Sequence, residues 1–167
     1  MPAEPAFQDL FLEELKDLYH AEQQIVKALP KMAKAASARE LKDGFTHHLK
    51  QTEGHTRRLE KIFELMGHKP AGKVCEGMKG LLKEGQEKIE EDVPDTIRDA
   101  ALIGAAQKVE HYEIAAYGTL RTYADLMERS DIAELLQATL DEEGETDKKL
   151  TEIAGTLNVE AVLEPKT

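Results

Sequence analysis

Residues 107–120 read QKVEHYEIAAYGTL and place two glutamates, Glu110 and Glu113, in an otherwise apolar, alanine-rich run. A helix through this run must bury at least one carboxylate, which is costly unless a partner neutralises the charge. At about 100° per residue, Glu113 falls in the middle of the apolar face, between Val109 and Ala116. Glu110 falls at the edge of that face, within reach of the same place. The run therefore predicts a core helix whose charged group needs a partner.

Length and composition indicate a single all-α domain. The chain has 167 residues, which is enough for one domain with a real core and too few for two. Aromatic residues make up only 5% of the chain, while Ala, Leu, Glu and Lys dominate, as is typical of a helical bundle. The formal net charge of −11 argues against partners such as nucleic acid or an anionic membrane, because either needs a clustered basic patch.

Cysteine usage and the N-terminal segment favour a cytoplasmic chain. Cys75 is the single cysteine, so an internal disulfide framework is excluded and a reducing compartment is favoured. The simplest interpretation of Cys75 is a small apolar residue. The first ten residues, MPAEPAFQDL, have neither the basic segment nor the apolar run of a signal peptide. We find no run of about 18 apolar residues that would span a membrane.

Apolar residues three and four apart predict four long helices, at about residues 7–36, 38–66, 95–127 and 131–157. Pro30 predicts a kink in the first helix, and the sequence from Ser37 to Glu40 reads as a capping box for the second. Residues 67–94 are turn-rich and interrupted by glycines, which predicts a crossover with one short helix. Two antiparallel hairpins joined by a long crossover form a ferritin-like four-helix bundle within one domain, residues 1–167.

A weak internal repeat is consistent with two related hairpins. Laying the first helix along the third places His20-Ala21-Glu22 on His111-Tyr112-Glu113 and Leu29 on Leu120. The match is short and helices resemble one another, so chance agreement is the alternative explanation.

Each predicted helix interrupts its apolar face with polar residues at a matching height. Glu22 lies between Leu18 and Ile25 on the first helix, and Glu143 occupies the corresponding place on the fourth. The second helix has His48, Thr52 and His55 at this level. The candidate metal ligands are Glu22, His48, His55, Glu110, Glu113, Glu142, Glu143 and Asp147.

Several carboxylates in one core repel each other, and two metal cations would offset that repulsion. Carboxylate with imidazole is a ligand set that suits iron or manganese. The alternative for any one of these glutamates is a lysine partner across the bundle, or a less buried end of the core. Di-iron carboxylate bundles use Glu-x-x-His on two of their helices, and this chain contains no Glu-x-x-His.

Other polar and aromatic residues near the apolar faces have simpler interpretations. His20 falls opposite the apolar face of the first helix and is expected to be exposed, so its spacing from Asp17 is not interpreted as a ligand pair. Tyr19 and Tyr117 are expected in core packing, with a supporting donor or an electron relay beside a metal as the alternative.

Four stretches resemble the YciF-like family of bacterial ferritin-like proteins, namely DLYHAEQQIVKALPKMA, CEGMKGLLKEG, RDAALIGAAQKVEHYEIAAYGTL and LDEEGETDKKLTEIA. The resemblance covers nearly the whole chain. It implies a ferritin-like bundle with an additional short helix, a homodimer, stress-associated expression in the bacterial cytoplasm and a dinuclear metal site. Relatives often carry a carboxylate where this chain has Gln51, which removes one anionic ligand; His48 and His55 are the candidates to replace it.

Two classes of function remain open at this point. The first is a redox metalloprotein in which a di-iron or di-manganese centre reacts with peroxide or oxygen. The second is a non-catalytic dimeric stress protein whose metal site is degenerate or absent. Iron storage in a cage is less favoured, because nothing in the sequence indicates cage contacts.

Overall fold

The computed structural model describes residues 4–163, and every regular element within that range is an α-helix. The helices are α1 Pro5–Ala35, α2 Arg39–Leu65, α3 Glu76–Glu90, α4 Asp95–Leu126 and α5 Ser130–Val162. The all-α prediction of four long helices and one short crossover helix is confirmed. α1 continues through Pro30, and α5 extends past its predicted end at residue 157. Across residues 4–163, none of the helices is long and apolar enough to cross a membrane.

The helices form two hairpins that pack face to face. Residues 36–38 link α1 to α2 and residues 127–129 link α4 to α5, so the partners in each pair run antiparallel. α2 also packs on α5 and α1 on α4, while α3 lies against α4 and α1. The largest fully buried side chains come from α1 to α4 and include Phe11, Leu15, Leu41, Phe63, Met78, Leu102 and Tyr117, and α5 adds the buried Ile132, Leu136 and Ile153. One continuous core therefore runs between the hairpins.

A buried aspartate from α4 caps the second helix. α2 begins at Arg39, and its capping residue Ala38 has no side-chain acceptor, so the predicted capping box is wrong. Instead the carboxylate of Asp99 accepts the backbone N–H groups of Ser37 and Ala38, each at 2.8 Å. Asp99 is 3% exposed. The acceptor for these amides thus comes from the other hairpin, where no local sequence motif could reveal it.

The crossover is anchored to the bundle through Cys75. This residue is fully buried, and its Sγ accepts the backbone N–H of Met78 at the start of α3. The sulfur also lies 3.0 Å from the hydroxyl of Tyr112 on α4. The backbone N–H of Cys75 donates to Nδ1 of His20 at 3.2 Å. His20 is therefore half-buried under the crossover, and the prediction that it is exposed was wrong.

Candidate metal centre

Buried polar side chains from four helices meet in the middle of the bundle. Each of the six is at most 3% exposed: Glu22 on α1, His48 and His55 on α2, Glu110 and Glu113 on α4, and Glu143 on α5. The two histidines stand two helical turns apart, so they share one face of α2. Glu110 and Glu113 are one turn apart on α4. Helical spacing thus puts each of these pairs on one face of its helix, and the packing of the four helices brings all six side chains together.

The ligand-type atoms of these side chains form two groups. The first group contains Glu22, His55, Glu113 and Glu143, with one atom from each residue lying within 4.8 Å of the others. The second group, by the same measure, contains His48, Glu110 and Glu143. Glu143 belongs to both groups. The cluster therefore has the layout of two adjacent cation sites that share one carboxylate.

Most of the polar atoms in the cluster have no hydrogen-bond partner within the part of the chain that the structure describes. Eight buried atoms of the cluster have no hydrogen-bond partner among residues 4–163: both carboxylate oxygens of Glu113 and of Glu143, one oxygen each of Glu22 and Glu110, Nε2 of His48 and Nδ1 of His55. Native proteins seldom leave buried polar atoms unpaired, because each such atom loses its hydration without compensation. A metal pair fits this donor set, since carboxylate and imidazole ligands compensate the charge of the ions.

The distances between nitrogen and oxygen atoms support the same interpretation. Nδ1 of His55 lies 2.9 Å from Oε1 of Glu143 and 3.3 Å from Oε1 of Glu22. Nε2 of His48 lies 3.1 Å from Oε1 of Glu110. These separations are short enough for hydrogen bonds, yet within the described chain none of them has hydrogen-bond alignment. The atoms are therefore close enough for ionic contacts but lie outside hydrogen-bond geometry.

The second ring nitrogen of His55 is held from outside the cluster. Its Nε2–H donates to Oε2 of Glu142 at 2.8 Å, and Arg58 holds the same carboxylate with contacts of 2.7 and 3.0 Å. Histidines that bind metals commonly donate their second N–H to a carboxylate in this way, which fixes the ring and leaves the first nitrogen free as a ligand. Glu142, predicted as a possible ligand, thus lies behind His55 and outside both groups.

His48 is held in the same manner by neutral groups. Its Nδ1 lies 3.3 Å from Oε1 of Gln51 and 3.2 Å from the hydroxyl of Thr146. A ring N–H at Nδ1 donates to the amide oxygen and leaves Nε2 facing Glu110. Gln51, which the sequence comparison treated as a lost ligand, therefore has a supporting role for His48 in this chain.

Of the other residues considered from the sequence, Asp147 lies outside the cluster and Tyr117 contacts it. Asp147 is outside both groups, where it accepts a hydrogen bond from Gln107 at 3.3 Å and lies 3.3 Å from the exposed His111. Tyr117 is fully buried and donates its hydroxyl to Oε1 of Glu22 at 2.5 Å. Sequence reasoning missed Arg58 altogether. Its position three residues after His55 on α2 was the available signal.

The carboxylates raise the pKa values of both histidines. Burial alone lowers the pKa of His48, but the Glu110 carboxylate outweighs burial and raises the pKa to about 9. Burial also lowers the pKa of His55, and its contacts with Glu143 and Glu22 overcome that effect and raise the pKa to about 10. In the metal-free protein both rings therefore carry protons at neutral pH.

The pKa values of the four clustered glutamates shift in two directions. Burial is the main cause that raises the pKa of Glu22, Glu110 and Glu113, and for Glu113 the neighbouring carboxylates raise the pKa further. Burial also favours the neutral form of Glu143, but its contacts with Glu110 and the two histidines outweigh burial and lower its pKa. Protons thus offset the negative charge when metal is absent. A metal ion would have to displace them.

Comparison with known proteins identifies the family of the chain. Residues 6–163 match the family model described as a domain of unknown function, DUF892. The chain belongs to this family. It is 45% identical over 148 residues to Protein YciF of Escherichia coli (strain K12). The aligned residues cover 88% of this chain and 89% of YciF. The predicted YciF-like membership is therefore confirmed.

Solved structures agree with this YciF-like assignment. The E. coli stress protein YciF superposes with a TM-score of 0.89 at 43% identity, covering 92% of this chain and 98% of YciF. YcfI of Rhodopseudomonas palustris, described as a candidate structural protein, gives a TM-score of 0.85 at 45% identity over 87% of this chain and 92% of YcfI. The protein XCC3681 of Xanthomonas campestris shares the fold, with a TM-score of 0.73 at 20% identity. The match covers 93% of this chain and 96% of XCC3681.

Proposed function

We propose that this YciF-like chain is a ferritin-like protein that binds two divalent metal ions, iron or manganese, in the buried cluster. The observation that carries the proposal is the shared Glu143, which joins two groups of otherwise unpaired ligand atoms. The four clustered carboxylates, Glu22, Glu110, Glu113 and Glu143, carry four negative charges when ionised. Two divalent cations match that charge, and the two imidazoles can then bind as neutral ligands.

The proposed roles of the residues follow from the two groups. Glu22, His55 and Glu113 would hold one ion, His48 and Glu110 the other, and Glu143 both. Glu142 and Gln51 keep the two imidazole rings in the tautomers that direct a free nitrogen inwards. The hydroxyl of Tyr117 fixes the carboxylate of Glu22. The surrounding apolar core limits the access of water, which strengthens every electrostatic contact inside it.

We propose further that the centre reacts with peroxide or oxygen under stress. Bound iron or manganese would supply the redox chemistry that the protein side chains lack. The description of the E. coli relative YciF as a stress protein supports this physiological setting. The buried position of Tyr117 beside Glu22 places an oxidisable side chain next to the centre.

Metal content and reaction with oxidant can be measured separately. Protein stripped with chelator and reloaded with Fe²⁺ without oxygen should hold about two ions per chain, and rapid mixing with peroxide should produce ferric absorbance. Glu143→Gln should retain at most one ion, whereas Glu134→Gln, a change at an exposed position of the same helix, should behave as wild type. Loading without any reaction with oxidant would remove the redox proposal only. Failure to bind either metal would remove both proposals.

A non-catalytic structural role is the second candidate, and the description of the relative YcfI favours it. In that case the cluster would be empty or hold metal for stability alone. The homodimer and the cytoplasmic location are part of either proposal. Light scattering after size exclusion would test the dimer at micromolar concentration. A monomer under those conditions would rule the dimer out.

A further inference from the structure

An apolar cavity opens beside the second metal group. It has a volume of about 690 Å³ and lies between the two hairpins. Its walls are formed mainly by apolar side chains from all five helices, among them Leu29, Phe45, Leu82, Val109, Leu150 and Ile153. This volume lies within the range of pockets that hold small organic molecules, which is about 300–1,000 Å³. The core of the bundle thus contains space that its own side chains leave open.

The inner end of the cavity reaches the candidate metal centre. His48 and Glu110 both contribute to the cavity wall, together with Gln51 and Thr146, which hold His48. Nε2 of His48 and Oε2 of Glu110 are buried atoms without a hydrogen-bond partner in the described range 4–163. The cavity is therefore an apolar chamber with one polar end, where two unpaired ligand atoms are located.

The outer end of the cavity is charged and slightly acidic. Glu40 of α2 and Lys149 of α5 form an ion pair of 3.3 Å between the two helices, and Arg39 lies 3.7 Å from Asp43. Glu145 adds a further acidic group to the rim. The two basic side chains are thus matched by three acidic ones. A carboxylate or phosphate head group would meet net repulsion there. A cation would lose its hydration along the apolar walls without gaining a partner.

We propose that this cavity binds an uncharged, mainly apolar small molecule and holds one end of it against the His48–Glu110 side of the centre. Apolar walls of this kind favour apolar guests, because the guest and the wall are both removed from water. The placement beside a metal rests on the proposed function, whereas the cavity itself does not. The inference therefore assigns a ligand class to the cavity beside the centre.

Binding can be tested with N-phenyl-1-naphthylamine, a neutral apolar dye that becomes fluorescent away from water. The full chain in chelator should bind one dye per chain, and should bind it more tightly than the sulfonated dye anilinonaphthalene sulfonate. Tighter binding of the sulfonated dye would overturn the assignment of an uncharged ligand. Absence of saturable binding of either dye would overturn the cavity proposal itself.

Two glycines of α2 offer a matched pair of variants. Gly44 lines the cavity, and a Cβ placed on it would meet Cδ1 of Ile153 at 3.7 Å, an ordinary contact. Gly54 lies on the same helix and has similar room, with Arg57 at 3.9 Å. Gly44→Phe should weaken dye binding by about tenfold or more because the ring fills apolar space, and Gly54→Phe should leave it unchanged. Equal effects of the two variants would show that the dye binds elsewhere. If Gly44→Phe does not fold, Gly44→Leu serves the same comparison.

Metal loading separates this inference from the proposed function. Because His48 and Glu110 form part of the wall, bound dye should be quenched when the centre holds paramagnetic Mn²⁺ and not when it holds Zn²⁺. Dye binding in chelator combined with failure to load metal would overturn the metal proposal and leave the cavity in place. Metal loading combined with no dye binding would overturn the cavity proposal alone. Dye binding that Mn²⁺ does not quench would overturn the placement of the ligand against the centre.

Discussion

Replacing Glu113 with glutamine should separate a metal ligand from a structural partner. Glu113 is 1% exposed, and neither of its carboxylate oxygens has a hydrogen-bond partner within residues 4–163. Burial and the neighbouring carboxylates raise its pKa above the usual 4.5. Its bound proton therefore stabilises the metal-free fold fully below pH 4.5, and this contribution is lost as the pH rises through the folded pKa.

Glutamine has the shape of glutamic acid and carries no charge. Its amide can also donate to the unpaired oxygens of Glu22 or Glu143. At neutral pH, Glu113→Gln should therefore leave the metal-free protein at least as stable as wild type, with a gain of up to about 1–3 kcal/mol from the relieved burial penalty. A conventional buried ion-pair partner would behave in the opposite way, since its removal leaves a charge unmatched.

Glu113→Gln should reduce the stabilisation that bound metal gives to the fold. At a free metal concentration of 100 times the dissociation constant, binding stabilises the fold by about 2.7 kcal/mol. For a domain of this size that free energy corresponds to about 5–11 °C in Tm. Loss of a supporting residue weakens metal binding by up to about 100-fold, and loss of a direct ligand should weaken it at least as much. The stabilisation then falls to about 0.4 kcal/mol or less, which is at most roughly 2 °C in Tm.

Scanning calorimetry in chelator measures the stability of the metal-free protein. The shift in Tm on adding Mn²⁺ measures the stabilisation by metal. Glu53→Gln is the matched control, because Glu53 is exposed on α2 and its loss should change neither value. A Glu113→Gln protein that melts earlier than wild type in chelator and keeps the full metal shift would refute the reasoning. That result would identify Glu113 as a structural partner.

Four further predictions address the two histidines and the residues that support the site and the fold. Glu142→Gln should weaken metal binding by about tenfold to 100-fold without abolishing it, because Glu142 acts through His55; titration calorimetry gives the affinity, and complete loss would instead make Glu142 a direct ligand. Metal affinity should rise with pH, because His48 and His55, with pKa values of about 9 and about 10, must lose protons before they bind; titrations in buffers of different ionisation enthalpy count the released protons, and a pH-independent affinity would contradict the assignment. Their proton-dependent stabilisation of the metal-free fold should be fully present below pH 6.5 and disappear as the pH rises through about 9 and then about 10. Asp99→Ala should destabilise the fold by about 1–3 kcal/mol, since it leaves the N–H groups of Ser37 and Ala38 unpaired, and denaturant unfolding that matches wild type would show that water replaces the carboxylate.

The fold and the inner part of the cluster could be predicted because they follow helical periodicity. Glu22, Glu113 and Glu143 each occupy the centre of an apolar face, and that property is visible in a single helix. His48 and His55 share a face for the same reason. Six of the eight candidate ligands meet in the structure, while their role as ligands stays a prediction.

The outer part of the site depends on neighbours that no single helix reveals. Glu142 and Glu143 are adjacent in sequence, so they point about 100° apart and only one can face the centre. The apolar face of α5 identifies Glu143 as that residue, whereas the position of Glu142 behind His55 depends on how α5 packs against α2. Arg58, which holds Glu142, and Asp99, which caps α2, act across the interface between the hairpins. The position of His20 under the crossover depends on the path of a loop, which periodicity does not describe.

The cluster lies on the seam between the two hairpins. Glu22, His48 and His55 belong to the first hairpin, and the other three members, Glu110, Glu113 and Glu143, belong to the second. Each group contains residues from both hairpins. A metal ion bound in either group would therefore cross-link the two hairpins. A chain that loses its metal should open more often along this seam, and cellular proteases cleave opened chains in proportion to their population. The amount of protein that survives in a cell would then follow the metal supply, which makes turnover itself a readout of metal status.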